Sequence, residues 1–379
     1  MNPFDCHILQ PRAANILSRS HENKRVASTY LFQGREGSGQ WPLAIWFSAL
    51  INCQSPRKES LTNNQMALPC RECAHCKSIF SLSFPELSIV VPLSSFKNLD
   101  EQIELIGQAL KQRRDEPYCI PVSPKTVNIS IELAREVKRK LSMKAPVGIT
   151  RVVIFDQMDK MLQLAADALL KLIEEPPPQT VIILTTAYPE ALLPTIISRS
   201  QRIRLDRVSD TVITEYLKSR YSAFESRARL AARLSEGSPG RAVQLVQTGG
   251  DDEQSARATA FLLYKSLFAK KTQDSISLAV DLLQGATVAD AEQILRLWQT
   301  FLRDSVCLAA TGEDADLINI DIAAELNECS YPFNNAKVAA RVTDLYKFML
   351  ADLKRNVHIQ TAFVGLMLKA RREIHSPAA

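Results

Sequence analysis

Short apolar runs alternate with amphipathic segments through the first 207 residues of the chain. Each run is bounded by polar or turn-forming residues, as buried β-strands are; the runs lie at 28–34, 86–93, 151–156, 180–187 and 200–207. Segments with apolar residues at helical spacing separate most of these runs, at 43–52, 99–116, 128–143 and 165–178. Strands that alternate with helices predict an α/β domain built on a parallel sheet.

The strand pattern ends near residue 208, and helical periodicity follows it. The periodicity is interrupted at 236–241 and again at 248–255, a polar, glycine-containing stretch that is a candidate domain boundary. We therefore predict an α/β domain over 1–207, a small all-α domain over 208–248 and a C-terminal all-α domain over 249–379. A chain of 379 residues has room for two or three domains.

Composition limits the class of protein. Hydrophobic residues make up 46% of the chain and charged residues 23%, the balance of a soluble globular protein. No apolar run approaches the roughly 20 residues that cross a bilayer. Residues 1–17 lack the basic-then-apolar order of a signal peptide, so we expect a cytoplasmic protein. The net charge of +5 is compatible with an anionic partner and equally with an ordinary, slightly basic protein.

The turn after the first predicted strand, QGREGSGQWP at 33–42, follows the phosphate-binding pattern G-x-x-x-x-G-K-[ST] only in part. Gly34 and Gly39 occupy the glycine positions, but Gln40 stands at the lysine position and Trp41 at the hydroxyl position. Gln40 cannot offset phosphate charge, and Trp41 cannot ligate magnesium. The residues predict a degenerate nucleotide-binding loop, although an unrelated glycine turn fits them too.

A second nucleotide-site signature is the strand RVVIFD at 151–156, which ends in an acid as a Walker B strand does. Asp156 fits the magnesium-associated position, and Gln157 stands where an acid would polarise the attacking water. Because Gln40, Trp41 and Gln157 are all unsuited to the chemistry, we predict that the chain does not hydrolyse ATP.

The eight cysteines include a tight cluster, Cys70, Cys73 and Cys76, and sixteen residues separate Cys53 from Cys70. In a reducing compartment such a cluster favours metal binding over disulfides. Four thiolates suit tetrahedral zinc and leave no open position, which predicts a structural zinc site. Three alternatives stay open: His75 in place of one cysteine, a zinc ribbon that grips nucleic acid, and free thiols at chance spacing.

Several longer stretches resemble the clamp-loader AAA+ proteins of bacterial DNA replication, and the resemblance spans nearly the whole chain. These stretches are STYLFQGREGSGQ (28–40), PCRECAHCKSI (69–79), GITRVVIFDQMDKM (148–161), the segment 168–205 with its EEPP helix end, sensor 1 strand and LPTIISR, EGSPGRAV (236–243) and LKRNVHIQTAF (353–363). The segment 168–205 is the most specific of them.

The chain departs from the family pattern in four places. Serine replaces cysteine at Ser200, and FPE at 84–86 replaces the usual HPD. The gap before Cys70 is longer than usual in the family, which makes Cys53 the least certain ligand. Residues 94–126 look like an insertion to which the sequence assigns no role.

The resemblance implies an AAA+ domain with a zinc module at 53–76, a helical lid and a C-terminal collar domain that mediates oligomerisation. It implies a non-hydrolysing stator subunit of the DNA polymerase III clamp loader, the complex that places a sliding clamp on primed DNA. The partners would be ATPase subunits of the tau/gamma type, a delta subunit, the clamp and primer–template DNA, without a membrane. Zinc would be structural, and this subunit would bind no ATP.

On the same resemblance, Arg199 would act in trans as an arginine finger on the ATP of a neighbouring subunit. Arg241 would be the sensor 2 residue and, with no nucleotide to sense, a link between the first two domains. Thr185 and Thr186 would have lost their sensor role. A surface salt bridge is the alternative for Arg199. Two other functions stay open: an active ATPase motor subunit of a clamp loader, and a stand-alone zinc-containing nucleic-acid-binding protein.

Overall fold

The computed structural model describes the following parts of the chain: residues 4, 6–61, 64–96, 99–121, 127–143, 146–247, 251–312, 317–353 and 358–375. The chain divides into two units, Met1–Gln244 and Leu245–Ala379. Among the helices within the described ranges, none is both long and apolar enough to cross a membrane. The predicted division into three domains is not tested by this partition and stays a prediction.

The first unit is built on a five-stranded sheet, and all of the strand pairs in it are parallel. Its strands are β1 (Thr29–Gln33), β4 (Leu87–Val90), β5 (Arg151–Phe155), β6 (Thr180–Thr186) and β7 (Gln201–Arg204), in the order β4-β5-β6-β1-β7. The five strands and the parallel α/β class predicted from the apolar runs are thus confirmed. Because the strands are parallel, the glycine loop after β1 and the residues after β5 and β6 meet at one edge of the sheet.

Helices cover both faces of this sheet, and β1 shows why. Its residues alternate, so that Tyr30 and Phe32 belong to one hydrophobic core and Leu31 to the other. The helices are α1 (Cys6–Leu9), α2 (Pro11–Glu22), α3 (Gln40–Ile51), α4 (Ala74–Phe80), α5 (Leu99–Asp115), α6 (Ile131–Leu141), α7 (Gln163–Glu174) and α8 (Pro194–Arg199). Two further helices lie in the unit, α9 (Asp210–Tyr221) and α10 (Glu225–Leu234), and α11 (Pro239–Gln247) begins in it and continues past its last residue, Gln244.

An antiparallel hairpin, β2 (Arg57–Leu61) and β3 (Asn64–Leu68), was not predicted from the sequence. The residues 57–59 are charged and exposed, so β2 carries no apolar alternation that would indicate a strand. On β3, by contrast, Met66, Ala67 and Leu68 are buried against the first core. Because Arg57 pairs with Leu68 in this hairpin, the chain segments that carry Cys53 and Cys70 lie side by side.

The described part of the second unit is helical, as the sequence predicted. Its helices are α12 (Asp251–Ser266), α13 (Thr272–Leu282), α14 (Val288–Thr311), α15 (Ala323–Glu328), α16 (Ala336–Leu353) and α17 (Ile359–His375). Four of these helices, α12, α14, α16 and α17, contribute large buried side chains to one aromatic-rich core. These side chains include Tyr264, Trp298, Tyr346 and Phe363. The Tyr264 hydroxyl donates to Ser305 Oγ at 2.9 Å. Of the motif at 353–363, residues 354–357 lie outside the described part of the chain.

Candidate functional site

The glycine loop joins the end of β1 to the start of α3. Gly37 and Gly39 have φ of +74° and +103°, in the left-handed region that favours glycine, and Gly39 is the N-cap of α3. The side chain of Gln40 turns back into the loop, where its Nε2 donates to the carbonyl oxygens of Gly34 at 2.7 Å and Arg35 at 2.9 Å. At the position where a phosphate-binding loop places a lysine, the amide of Gln40 therefore binds the loop's own backbone.

The next residue of the loop, Trp41, is buried, and its ring is covered by the guanidinium of Arg113 at 5.2 Å. Arg113 comes from α5, in the inserted segment, and forms a buried ion pair with Asp156. The charged face of a helix such as 99–116 is expected to be solvated. Arg113 departs from this expectation, because its buried side chain pairs with Asp156, whereas the neighbouring Arg114 is exposed.

Asp156 follows β5 and is fully engaged by protein groups. Besides Arg113, its carboxylate accepts a hydrogen bond from Thr185 Oγ1 at 2.7 Å, and Thr185 in turn accepts from the backbone N–H of Gln157 at 2.9 Å. Thr186 Oγ1 donates to Asp159 at 2.6 Å. The positions expected for the magnesium-associated acid and for sensor 1 are thus brought together, and they bind one another.

Tyr118, in the turn after α5, lies against the glycine loop. A Cβ at Gly39 would lie 2.8 Å from Tyr118 Cε1, so the ring occupies the space directly above the loop. The cavity left between the loop, Arg113 and Tyr118 is about 60 Å³. Ligand pockets usually measure about 300–1,000 Å³. In this conformation the space around the loop is filled by the protein's own side chains.

The loop also contacts the helices α9–α11 through the turn before α11. Ser238 Oγ donates to the carbonyl oxygen of Glu36 at 2.7 Å. The backbone N–H of Gly240 donates to the carbonyl oxygen of Gly37 at 2.9 Å. Glu236 pairs with Arg35 at 3.0 Å and lies 4.0 Å from Arg241. The candidate sensor 2 residue, Arg241, therefore lies close to the loop and shares a carboxylate with it.

Arg199, the candidate arginine finger, is the last residue of α8 and is about half exposed. Its Nε lies 3.0 Å from Glu174 Oε1, at the end of α7, and its Nη1 lies 3.5 Å from the carbonyl oxygen of Thr195. The surface salt bridge considered as an alternative is therefore present in the isolated chain. A guanidinium held by one exposed carboxylate remains able to exchange it for another anion.

The cysteine cluster is formed by the end of α3, the hairpin and the start of α4. Sulfur atoms of Cys53, Cys70, Cys73 and Cys76 all lie within 4.8 Å of one another, and the Cys70 and Cys76 sulfurs are 3.9 Å apart. Zinc–sulfur bonds of about 2.3 Å in a tetrahedron would put the sulfurs about 3.8 Å apart. The four cysteines can thus hold one metal ion, and Cys53 converges with the others despite the long gap.

Backbone N–H groups point at these sulfurs, as they do around a metal-bound thiolate. Cys70 N–H donates to Cys53 Sγ at 3.2 Å and Cys73 N–H to Cys70 Sγ at 3.3 Å. Burial opposes ionisation of Cys70, but the N–H of Cys73 and other donors outweigh it and lower the pKa of this thiol to about 6. Burial raises the pKa of Cys53 and of Cys76. Bound zinc would supply the positive charge that keeps all four as thiolates.

His75, the alternative ligand, is engaged elsewhere. Its Nδ1 lies 2.9 Å from the carbonyl oxygen of Asn52, and its ring packs against Phe84 at 5.3 Å. The histidine therefore supports the chain beside Cys53 and does not join the cluster.

Sequence reasoning missed Arg113 and Tyr118, although a signal for Arg113 exists. Ile106, Ala109 and Leu110 pack against the cores of the first unit, and Arg113 follows at i+7, i+4 and i+3 from them. An arginine that continues the apolar face of a helix is a candidate for a buried ion pair.

A family model described as DNA polymerase III, delta subunit, matches residues 9–209. The DNA polymerase III delta-prime subunit of Bacillus subtilis (strain 168) is 27% identical over 69% of this chain and 66% of its own length. The delta-prime subunit of Escherichia coli (strain K12) is 28% identical over 64% of this chain and 60% of its own length. The Bacillus subtilis tau subunit is 23% identical over 99% of this chain and 62% of its own length.

Among solved structures, a gamma subunit-related protein from Thermotoga maritima covers 95% of this chain and 99% of its own, with a TM-score of 0.45 and 15% identity. The chain spans about two thirds or less of the length of the curated relatives. The family model, in contrast, covers more than half of the present chain. The chain belongs to the DNA polymerase III delta subunit family, and the resemblance to bacterial clamp-loader proteins is confirmed.

Proposed function

We propose that this chain is a non-hydrolysing AAA+ subunit of the DNA polymerase III clamp loader, a stator that helps to place a sliding clamp on primed DNA. The observation that supports the proposal is that the protein's own side chains occupy the space over the glycine loop. Arg113 is the cation beside Asp156, and its guanidinium also covers the ring of Trp41. Gln40 binds the backbone of the glycine loop. A phosphate group would meet neither a lysine nor a free magnesium ligand there.

The second half of the proposal is that Arg199 serves the ATP site of a neighbouring subunit. The residue lies on the surface at the end of α8, and its guanidinium has the charge and the planar fork that a γ-phosphate needs. To act in trans, Arg199 exchanges the carboxylate of Glu174 for phosphate oxygens. The subunit would then support hydrolysis by its neighbour without performing hydrolysis itself.

The partners follow from this role. They are ATPase subunits of the tau/gamma type, a delta subunit, the sliding clamp and, through the complex, primer–template DNA. The four cysteines would hold a structural zinc ion, and contacts of the complex to DNA phosphates would weaken as salt is raised.

The competing function is that of an active motor subunit, and the match to the tau subunit over 99% of this chain favours it. Motor and stator differ in one property of the isolated chain, magnesium-dependent binding of ATP. Calorimetric titration with ATP and magnesium separates them: heat that fits a micromolar Kd supports the motor, and the absence of such heat supports the stator.

The role of Arg199 is tested in a reconstituted complex with the ATPase subunits, the delta subunit and the clamp of the same organism. Arg199→Ala is expected to assemble but to slow clamp-dependent ATP hydrolysis and clamp loading. An arginine finger contributes on the order of a thousandfold or more at its own site. In a complex with several ATP sites the loss in total rate is smaller, because only one site is affected.

The matched control is Arg229→Ala. Arg229 is also an exposed arginine paired with a glutamate, Glu225, at 3.0 Å. This variant should load clamps at the wild-type rate, and Arg199→Lys should restore little, because lysine lacks the fork. Assembly with wild-type loading by Arg199→Ala would show that the subunit's role is architectural alone.

A further inference from the structure

We propose that residues 113–121, which we call the plug segment, are a built-in occupant of the nucleotide position that holds the sheet and the helices α9–α11 in one fixed arrangement. The inference rests on the proposed absence of nucleotide. The inserted residues would then join the sheet to the helices α9–α11. Without them, the glycine loop contacts these helices only around the turn before α11. The occupant is covalently attached and is not exchanged.

On the sheet side, the plug segment is anchored at two points. Arg113 pairs with Asp156 after β5 and covers Trp41 at the start of α3. Tyr118 fills the space over Gly39. Both anchors are buried, so the segment cannot leave the glycine loop without exposing Tyr118 and separating a shielded ion pair.

On the helical side, the same segment contacts α9 and α11. The ring of Tyr118 meets that of Tyr216 edge to face at 5.5 Å, and the hydroxyl of Tyr221 donates to the carboxylate of Glu116. At the start of α11 the fit is close, because a Cβ on Gly240 would lie 2.3 Å from the carbonyl oxygen of Tyr118 and 2.8 Å from Gly37 Cα. Loop, plug segment and α11 thus meet in van der Waals contact at Gly240.

The helix α5 holds the plug segment in place. Its apolar residues Leu105, Ile106, Ala109 and Leu110 pack against the hydrophobic core on one face of the sheet. Since the segment is tethered to this helix, its effective concentration at the site is high, and solution ligands do not compete on equal terms. The sheet and α9–α11 can change their relative position only by breaking contacts on one side of the segment.

The test is hydrogen–deuterium exchange of the isolated full chain, followed in peptides that cover residues 37–43 and 239–247. In Tyr118→Ala, amides in both peptides should exchange about tenfold faster or more than in the wild type, since a local opening that needed the ring to move becomes easier. Tyr118→Phe keeps the ring and should protect both peptides as the wild type does. Arg113→Gln should accelerate exchange, whereas the adjacent exposed Arg114→Gln should not.

Gly240→Ala provides a second route to the same contact and serves if Tyr118→Ala does not fold. The added methyl group forces α11 away from the plug segment, so both peptides should again exchange faster. Unchanged exchange in Tyr118→Ala and Gly240→Ala overturns the inference. This outcome leaves the proposed function intact, which fails separately if the wild-type chain binds ATP in calorimetry. Wild-type chain that binds ATP and loses protection on binding would overturn both.

Discussion

The guanidinium of Arg113 and the carboxylate of Asp156 form an ion pair in which the two side chains are only 8% and 3% exposed. Asp156 is the acid for which the sequence predicts a magnesium-associated position, and in the structure the cation beside it is the guanidinium of Arg113. Because the pair is shielded from water, each partner depends on the other for its charge compensation.

Arg113→Ala should therefore destabilise the chain by about 3–5 kcal/mol, since it leaves a buried carboxylate without a cation. Arg113→Met and Asp156→Asn each remove one partner of the pair. The double variant should lose far less stability than the sum of these two single losses. Urea unfolding followed by circular dichroism measures both. Arg114→Ala is the control, and its unfolding midpoint should match the wild type. Additive losses in the double variant would contradict a coupled pair.

The exposed ion pair of Arg199 and Glu174 should contribute far less to stability than the buried pair of Arg113 and Asp156. Arg199 and Glu174 are 44% and 38% exposed, and exposed pairs contribute about 0–1 kcal/mol. Arg199→Ala should accordingly unfold within about 1 kcal/mol of the wild type in the same urea experiment. A much larger loss would mean that slow clamp loading by this variant reports misfolding and not a missing finger.

Restoring the lysine of the glycine loop should not restore nucleotide binding. In Gln40→Lys, Trp41 still stands at the position of the hydroxyl residue, and Arg113 still forms its ion pair with Asp156. Titration calorimetry with ATP and magnesium should give no measurable heat for the variant or for the wild type. Micromolar affinity in Gln40→Lys alone would show that the lysine was the only missing part and that the plug segment yields to nucleotide.

Freshly reduced protein should contain about one zinc ion per chain. Cys73→Ser should lower the zinc content measured by inductively coupled plasma mass spectrometry. It should also loosen the β2–β3 hairpin, because a bound ion would join the hairpin to α4. Cys307→Ser, in the second unit and outside the cluster, is the matched control and should keep its zinc. Equal zinc in Cys73→Ser and wild type would be incompatible with a four-cysteine site.

The second unit should lose stability in alkali. Burial raises the pKa of both Tyr264 and Tyr346 above the ordinary value of about 10. Above that pH the unfolded chain releases these phenol protons while the folded chain retains them, so the free energy of unfolding falls as pH rises. Below it, both states are protonated and these tyrosines contribute no pH dependence. Urea midpoints between pH 8 and 11 should fall less steeply in Tyr346→Phe.

The same two tyrosines should differ at neutral pH. The hydroxyl of Tyr346 is buried and has no hydrogen-bond partner among the described residues, whereas that of Tyr264 donates to Ser305. Tyr346→Phe should thus raise the free energy of unfolding by about 1 kcal/mol, and Tyr264→Phe should lower it by a similar amount. Destabilisation by both would indicate a partner for the Tyr346 hydroxyl.

The sheet could be predicted because its signal is local. Four of the five strands are short apolar runs, and β1 carries side chains into two cores. The fifth, β7, is polar apart from Ile203, and its other three residues are exposed. The β2–β3 hairpin could not be predicted, since the charged residues 57–59 show no apolar alternation. Apolar patterning therefore predicts the four core-facing strands and does not reveal the hairpin, whose residues 57–59 are exposed.

The motif residues of the candidate site could be predicted from the sequence, but the side chains that occupy the space between them could not. Gln40, Trp41 and Asp156 were named from motif positions, and the four cysteines from spacing and thiolate chemistry. Arg113 and Tyr118 reach the site from an insertion outside every motif, and only the folded chain brings Arg113 next to Asp156, 43 residues away in sequence. Motif positions can thus be recognised from the sequence alone, whereas Arg113 and Tyr118 belong to no motif that would have pointed to them.

The turn before α11 also affects how this protein is made. The glycine loop appears early in synthesis, yet Arg35 meets its partner Glu236 across 201 residues and Ser238 reaches Glu36 across 202. Contacts this distant in sequence close slowly, because the loop-closure entropy is lost before they form. Nascent chains that have not reached residue 236 lack both partners, so these contacts to the glycine loop form only when nearly all of the first unit has been synthesised.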